Sequence, residues 1–372
     1  MYFSELAAAT FGLFVTVSNA HPGADHRHEA REYMAAIQAA HLPNDLSHCS
    51  EILRREGHER RTVERRIEVL RSEREIKGLP TDGRILKPRG SLIGRDAPTV
   101  LKTDHRSKTK FGPESKHTEI FANSSCVLTP HITEGPYWVI GEVVHEDLRE
   151  KDKGQKGVDV ILDVQVIDIT TCKPLPSIYV EFWHANATGI YSGIIASANG
   201  GTADKSLSSS TFARGIQPTS ADGVARFTTF YAGHYGGRST HYHIATHLTG
   251  SLLPNNTFTG TTVSHVGQIF FDQSLTTEIE KTAAYRSNTF PVTTNAADFI
   301  FAQAATISDP VMRYSLLGDK VEDGLFGWLT LGVDSKKSAK NMSPVGRYGP
   351  DGTTLINCGG DPKGMFTPCK NG

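Results

Sequence analysis

The sequence predicts a mainly β protein, an antiparallel β-sandwich with a helical extension on its N-terminal side. Short runs that alternate apolar and polar residues recur between glycine-rich turns from residue 118 onward, and residues 158–168 (VDVILDVQVID) are the clearest of them. By contrast, a charged segment at 50–77 spaces its apolar residues at helical intervals. We therefore divide the chain into five parts, which are 1–20, 21–77, 78–117, 118–335 and 336–372.

The first part is typical of a secretory signal peptide. An almost wholly apolar run at 6–17 is too short to cross a bilayer, and Ser18, Asn19 and Ala20 form a small-residue cleavage site. No other stretch of the sequence approaches a transmembrane helix. We therefore expect a secreted, extracellular protein.

Secretion makes disulfides the expected state of the five cysteines, which are Cys49, Cys126, Cys172, Cys358 and Cys369. No Cys-x-x-Cys motif occurs among them, which argues against a zinc ribbon or a redox site. The pairing that we expect first is Cys126 with Cys172, and Cys358 with Cys369 would close the tail. Cys49 is then either free or linked to another chain, and the connectivity stays open.

Asn-x-Ser/Thr sequons add to the secretory prediction and indicate a glycoprotein. They begin at Asn123, Asn186, Asn255 and Asn341. Asn186 lies close before a tyrosine, Tyr191, that the motifs below single out, so we expect glycosylation least at that position.

The second part is predicted to be helical at 29–40 and again from 50 to 77. Val63, Ile67 and Leu70 make one apolar stripe, while 51–75 holds eight arginines against seven glutamates. That balance indicates a salt-bridged, solvated helix rather than a nucleic-acid arm. The stripe either forms a homodimer contact or belongs to a helix that lies on the sandwich or to a pro-like extension, and the sequence does not separate these alternatives. Residues 78–117, rich in Gly, Pro, Lys and Arg, are predicted to be a linker.

The fourth part contains the predicted strands, at 158–168, 178–183, 223–231, 240–248 and 266–271. Residues 298–308 and 319–327 are predicted to be short helices or loops. After residue 334 the composition of Gly, Lys and Pro is typical of a poorly ordered tail. The formal net charge is −1 and the isoelectric point about 7, so we expect neither a nucleic-acid nor a membrane partner.

The segment YAGHYGGRSTHYHIATH, at 231–247, carries the most chemical information. On a strand, His241 and His243 point to the same face and can bind one metal ion. A deprotonated Tyr235 would add an anionic oxygen, and Arg238 a permanent cation that is not itself a ligand. Anionic oxygen with imidazole favours an ion such as iron over a structural zinc, which usually recruits thiolates.

Five motifs occur in an order that resembles the intradiol ring-cleavage dioxygenases, and their secreted fungal branch in particular. They are TEGPYW, WHANATGIYSG, RGIQPTSADGVARFTTF, YAGHYGGRSTHYH and HVGQIFF, between residues 133 and 271. The resemblance extends over about residues 118–335. It implies a non-haem Fe(III) enzyme that cleaves catechol-type diols with O2 as co-substrate, giving muconate-type diacids.

The resemblance also implies a set of site residues. The iron ligands would be Tyr191, Tyr235, His241 and His243. By the same resemblance, Tyr235 leaves the metal when the substrate binds, whereas the other three ligands stay.

Three further residues follow from the resemblance. Arg238 would stabilise charge on the substrate ring, Gln268 would hydrogen-bond a substrate oxygen, and Tyr137 would lie near the mouth of the pocket. The chain departs from the family pattern at Ala232, where proline is usual, and at Tyr242, where an aliphatic residue is usual. We expect Tyr242 to face away from the metal, into the sandwich.

Other functions remain open at this level. His241 and His243 with His247 or His265 could form the open zinc site of a hydrolase or hydratase. A secreted binding sandwich without catalysis is a second alternative, and a copper site at His21, the predicted mature N-terminus, is a third. The sequence does not identify the catechol.

Overall fold

The structure is a computed structural model of the chain. It describes residues 46–81, 96–106, 135, 137–195, 199, 205–260, 262–306, 308–336, 340–342, 346–348 and 355–357. The predicted signal peptide, the predicted helix at 29–40 and His21 lie outside these residues. So do Cys126, Cys358 and Cys369, and the sequon at Asn123.

The described helices are short, apart from one of five turns. They are α1 (Ser50–Arg55), α2 (His58–Ile76), α3 (Ala97–Lys102), α4 (Gln273–Ile279) and α5 (Phe299–Ala305). Single turns of 3₁₀ helix occur at Ser47–Cys49, Lys151–Lys153, Lys205–Ser209 and Val321–Asp323. No helix in the described part of the chain is long and apolar enough to cross a membrane.

The strands provide most of the regular structure. They are β1 (Val139–Ile140), β2 (Asp159–Asp168), β3 (Tyr179–Trp183), β4 (Arg214–Pro218), β5 (Val224–Phe230), β6 (His241–His247), β7 (Ser251–Leu252), β8 (Phe258–Thr259), β9 (Thr262–Val263), β10 (His265–Phe270), β11 (Arg313–Leu316), β12 (Leu325–Val333), β13 (Lys340–Asn341), β14 (Gly346–Tyr348) and β15 (Leu355–Asn357). The five strands predicted from the sequence correspond to β2, β3, β5, β6 and β10.

Two four-stranded sheets form the sandwich. One is antiparallel throughout, in the order β10-β6-β3-β4, and the other has the order β11-β12-β2-β5. The β-sandwich prediction is confirmed, with one departure from antiparallel pairing, because β2 and β12 run parallel. A parallel pair needs a long connection, and most of the sandwich lies between these two strands in the chain.

Alternation along β2 explains how the core forms. Val160, Leu162 and Val164 point inward and join Phe182 and Ile244 of the opposite sheet in the main apolar cluster. The intervening residues of β2 point outward, where an antiparallel sheet usually meets water. Here that outer face is covered instead, because helix α2 lies across it.

The apolar stripe of α2 is buried within the chain. Val63 and Leu70 are each only 2% exposed and pack with Ile161, Phe326 and Trp328 of the outer sheet face. Burial of each such side chain contributes about 1.5–3 kcal/mol. The second interpretation of the stripe is therefore correct, and these residues are not a free dimer surface; a homodimer through another surface stays a prediction.

Charged groups complete the contact of α2 with the sheet. Arg65 and Arg66 each lie 2.8 Å from a carboxylate oxygen of Asp163, and both Arg66 and Asp163 are fully buried. Burial alone would raise the pKa of Asp163, but Arg66 and Arg65 together hold it at about 2. The predicted solvated helix is thus solvated on one side only.

A disulfide joins Cys49 to Cys172. The expected pairing of Cys172 with Cys126 is therefore wrong. The two bonded cysteines are 123 residues apart, and they meet because the start of the helical extension packs beside the β2 end, in a cluster with Ile167 and Ile169. The bond fixes the N-terminal side of the extension to the sandwich.

The structure also differs from the sequence predictions in the C-terminal part of the chain. Residues 319–327 hold one 3₁₀ turn but then begin β12, a central strand that is buried along its whole length. In the predicted tail, β13 pairs with β9, and β14 pairs with β1 and β15. Backbone pairing in two small sheets outside the sandwich therefore gives regular structure to segments whose composition alone favoured disorder.

Candidate metal centre

Strand β6 carries the centre of the site. It lies between β3 and β10, and His243 is directly opposite both Trp183 and Gln268. Opposite residues on neighbouring antiparallel strands share a face, so these three side chains meet. The Trp183 ring stacks on the His243 ring with centroids 4.9 Å apart and an angle of 8° between the planes. His241 shares this face, and Tyr242 points into the main core as predicted.

A tight turn after β3 presents Tyr191. The Asn186 carboxamide oxygen accepts hydrogen bonds from the backbone N–H groups of Thr188 and Ile190, at 3.0 and 3.1 Å. Asn199 then fixes the tyrosine itself, since it accepts from Tyr191 N and donates to Tyr191 O, both at 2.8 Å. The asparagines therefore set the direction of the Tyr191 side chain.

Tyr235 and Arg238 lie at the two ends of one turn. Arg238 N donates to Tyr235 O at 3.3 Å. Gly237 has a φ of +83°, a left-handed conformation that side chains rarely adopt, so this turn requires glycine there. The Gly-Gly pair of the motif thus folds the phenol and the guanidinium back toward the same strand.

The predicted ligand atoms converge. Tyr235 Oη lies 3.1 Å from His241 Nε2, which lies 3.2 Å from His243 Nε2. The ring centroid of Tyr191 is 5.7 Å from that of Tyr235 and 6.2 Å from that of His243. Donor atoms that each sit about 2.1 Å from one metal ion lie roughly 3.0–3.4 Å from one another. The spacings of the three closest donors fit a shared ion.

Both imidazoles are prepared to act as neutral ligands. His241 Nδ1 donates to Ser239 O at 2.6 Å, so its Nε2 keeps a free lone pair. Burial, with Arg238 nearby, lowers the pKa of His241 well below its usual value. Burial likewise lowers the pKa of His243 well below the usual value, with His241 adding to the effect. Neither ring carries a charge at neutral pH.

Both phenols are held in the protonated state, and a bound cation would favour loss of their protons. The Tyr191 hydroxyl is buried and lies beside the Tyr235 hydroxyl. Burial raises the pKa of Tyr191 well above its usual value, and burial also raises that of Tyr235, against the pull of Arg238. Without a metal ion both phenols keep their protons; a bound cation would favour the phenolates.

Arg238 is fixed by two side chains. Its Nε donates to Asp298 Oδ2 at 2.9 Å, and its Nη2 donates to Gln268 Oε1 at 2.5 Å. All three side chains are buried. The guanidinium therefore stays beside the candidate metal donors as an oriented positive charge, while the predicted contacts of Arg238 and Gln268 with a substrate stay predictions.

Tyr137 completes the aromatic wall. Its ring centroid lies 4.6 Å from that of Tyr191 and 6.5 Å from that of Tyr235. Buried Arg214 fixes the backbone at Tyr137 and next to Tyr191. Its Nη2 donates to Tyr137 O at 3.0 Å and to Ser192 O at 3.1 Å. The N-terminal motif also reaches the site at Gly135, where a Cβ would lie 2.9 Å from the His243 ring.

The alternative three-histidine zinc site is not supported by the geometry. His247 lies at the far end of β6, where its Nε2 is 2.7 Å from Glu181 Oε2. Within the described ranges, the one group of three His, Cys, Asp or Glu donors close enough to hold an ion is His48, Cys49 and Cys172. Two members of that group form the disulfide.

All seven predicted site residues meet at this centre, but the sequence did not identify those that hold them. These are Trp183, Asn199, Arg214, Ser239 and Asp298. The register of β3 against β6 could have indicated Trp183, since both strands were predicted. Asp298 and Asn199 lie in connecting segments, and no periodicity marks them.

The comparisons with known proteins agree with this geometry. A protein-family model described as Dioxygenase matches residues 133–251, which include four of the five motifs and all four candidate ligands. The resemblance to the dioxygenase family is confirmed. A search of curated proteins found no match. The secreted fungal branch stays a prediction.

Solved structures similar to this chain include an intradiol ring-cleavage dioxygenase and a catechol 1,2-dioxygenase. The intradiol ring-cleavage dioxygenase from Tetranychus urticae is 26% identical over 58% of this chain and 99% of its own, with a TM-score of 0.46. The catechol 1,2-dioxygenase from Pseudomonas arvilla C-1 is 20% identical over 61% of this chain and 65% of its own, with a TM-score of 0.37. Both TM-scores are below 0.5. The fold and the candidate site of this chain are therefore supported by its own strands and contacts.

Proposed function

We propose that the protein is a secreted non-haem Fe(III) intradiol dioxygenase. It would cleave catechol-type aromatic diols with O2 between the two hydroxylated carbons and yield muconate-type diacids. The convergence of Tyr191, Tyr235, His241 and His243 at one buried point carries this proposal. The Dioxygenase match over 133–251 supports the same class of reaction.

The donor set favours ferric iron. Two phenolates and two neutral imidazoles offer hard anionic oxygen and nitrogen, and the set contains no thiolate. Two anionic ligands balance most of a triple positive charge inside a buried site. Bound ferric iron would supply a Lewis acid for both catechol oxygens and make the ring reactive toward O2.

The chain's own residues would handle protons and charge. Tyr235 Oη is the natural acceptor for the second catechol proton. Burial raises the pKa of this hydroxyl, so its protonated form is favoured once the proton has arrived. Arg238 keeps its positive charge throughout, so it can stabilise negative charge on the substrate without a proton transfer. The buried rings of Tyr137 and Tyr191 exclude water from the same face.

The reaction requires no further reactant. Catechol and O2 together contain all the atoms of the diacid, since both oxygen atoms enter the product as the bond between the hydroxylated carbons breaks. Iron-loaded protein with catechol under ¹⁸O2 should therefore give a diacid with two labelled oxygens by mass spectrometry. His243→Ala serves as the matched inactive control. No oxygen uptake by the iron-loaded protein, or cleavage beside only one hydroxylated carbon, would contradict the proposal.

Secretion and glycosylation form part of the proposal and rest on the sequence. The contacts of Asn186 support the expectation that this sequon is the least used. Its Nδ2 donates to Gln155 at 3.1 Å, and its Oδ1 accepts from the backbone of the Tyr191 turn. Mass spectrometry of the exported protein would show whether the mature chain starts at His21 and whether Asn186 carries a glycan.

A further inference from the structure

We infer that Asp298 is a positioning residue that fixes Arg238 and the His241 imidazole together. The inference rests on the proposed function, because Arg238 and His241 are the groups through which Asp298 would act. Asp298 lies 60 residues from Arg238 in the sequence, in a segment that the motifs do not include.

The Asp298 carboxylate has a donor on each side. It is the N-cap of α5, and its Oδ1 accepts from Phe301 N at 2.9 Å. Its Oδ2 accepts from Arg238 Nε at 2.9 Å, Ser239 N at 2.7 Å and Ser239 Oγ at 3.1 Å. The side chain is completely buried. One carboxylate therefore joins the start of α5 to the strand entry that carries the site.

The first consequence concerns Arg238. A guanidinium has its donors in a fixed plane, so two contacts at different nitrogens determine its orientation. Asp298 holds Nε, and Gln268 holds Nη2. Asp298 is the charged partner of the two, and it balances a buried cation that would otherwise be costly to keep in place.

The second consequence concerns His241. Asp298 accepts from both N and Oγ of Ser239, and the carbonyl of that same residue accepts from His241 Nδ1 at 2.6 Å. A hydrogen bond to the second ring nitrogen fixes the tautomer and direction of a metal-binding histidine. Asp298 thus acts on the imidazole through one residue and on Arg238 directly.

A double-mutant cycle separates this role from a general structural one. We expect Asp298→Asn to lower kcat/KM by about 10–100-fold, the usual range for groups that orient ligands. In an Arg238→Met background the same substitution should lower kcat/KM by a clearly smaller factor, because only the effect through Ser239 and His241 remains. An equal loss in both backgrounds would overturn the assignment to Arg238.

A second measurement uses metal release rather than turnover. Transfer of iron from the loaded protein to an excess of chelator should be faster for Asp298→Asn than for wild type, because the Ser239–His241 contact loosens. This increase should persist with Arg238→Met, since it does not run through the guanidinium. Wild-type rates of release and wild-type kcat/KM in Asp298→Asn would overturn the inference.

Two control variants protect the test. Asp298→Ser keeps a preferred N-cap residue for α5, but the serine side chain is too short to reach Arg238. It should show the same losses as Asp298→Asn, and it provides the test if Asp298→Asn folds poorly. Asp96 caps α3 by accepting from Thr99 N at 2.7 Å, and Asp96→Asn should leave kcat/KM unchanged. If wild type and Asp96→Asn show no turnover, the proposed function fails; if they turn over normally and both Asp298 variants match them, only this inference fails.

Discussion

Gln268 lies directly opposite His243 on neighbouring antiparallel strands, and its carboxamide oxygen accepts a hydrogen bond from Arg238 at 2.5 Å. The pairing of β6 with β10 therefore places a candidate metal donor beside a polar amide, and the amide in turn holds a cation. Register sets this arrangement, because a shift of one residue would turn Gln268 to the other side of the sheet.

Arg238→Ala should separate charge from metal binding. The guanidinium is not a ligand, so we expect the variant to retain iron and colour but to lose kcat by on the order of 10²-fold or more, as for other preorganised electrostatic groups. Steady-state kinetics with metal analysis check this. Arg71→Ala, on the exposed face of α2, is the control. Loss of the iron would instead make Arg238 a structural residue.

The two tyrosines should respond differently to removal of the hydroxyl. Tyr235 adjoins Arg238 and His241, and we expect Tyr235→Phe to keep iron, shift the colour and bind catechol more slowly. Tyr191 is the tyrosine that would stay on the metal as an anionic ligand, so Tyr191→Phe should lower iron affinity instead. Anaerobic rapid mixing with catechol, followed through the visible band, distinguishes the variants. Identical spectra and binding rates would remove the basis for separate roles.

The buried pair of Asp163 with Arg66 should be essential to the docking of α2. Asp163→Asn leaves a buried arginine without its charged partner, which costs roughly 3–5 kcal/mol of unfolding free energy. Asp222→Asn, in the half-exposed pair with Arg61, should cost less, about 1 kcal/mol. Urea unfolding with the disulfide intact measures both. Equal, small effects would mean that the apolar stripe alone holds the helix.

His105 should make stability depend on pH above neutrality. Burial lowers its pKa, but Asp272 and Asp309, at 2.5 and 2.8 Å, raise it to about 9. The stabilisation is therefore complete below about pH 6.5 and is lost as pH rises through 9. Relative to His105→Gln, wild type should lose on the order of 3 kcal/mol across this range. A difference that does not vary with pH would contradict the protonated state.

The sequence predicted those parts of the fold whose pattern is local. Alternation located β2, and the spacing of Val63 and Leu70 located the face of α2 that is buried. β12 was missed because its residues are buried on both sides and show no polar alternation. The pairing of Cys49 with Cys172 depends on where the extension docks, which no local pattern records.

The candidate site also contains residues that local sequence patterns indicate and residues that they do not indicate. The sequence singled out four candidate ligands because they occur in motifs with a recognisable order; they are Tyr191, Tyr235, His241 and His243. Asp298 could not, because an N-cap aspartate is common and its second role depends on α5 lying against the turn at Arg238 and Ser239. Residues that orient the site are therefore found only from the three-dimensional contacts.

The visible absorption spectrum of the purified protein, measured together with its metal content, tests the central claim most directly. Two tyrosines bound to ferric iron should give a broad visible charge-transfer band, a red-brown solution and about one iron per chain, the stoichiometry that a single site of shared donors implies. Tyr191→Phe should weaken this band. A colourless protein that binds zinc and cannot be loaded with iron would contradict the account.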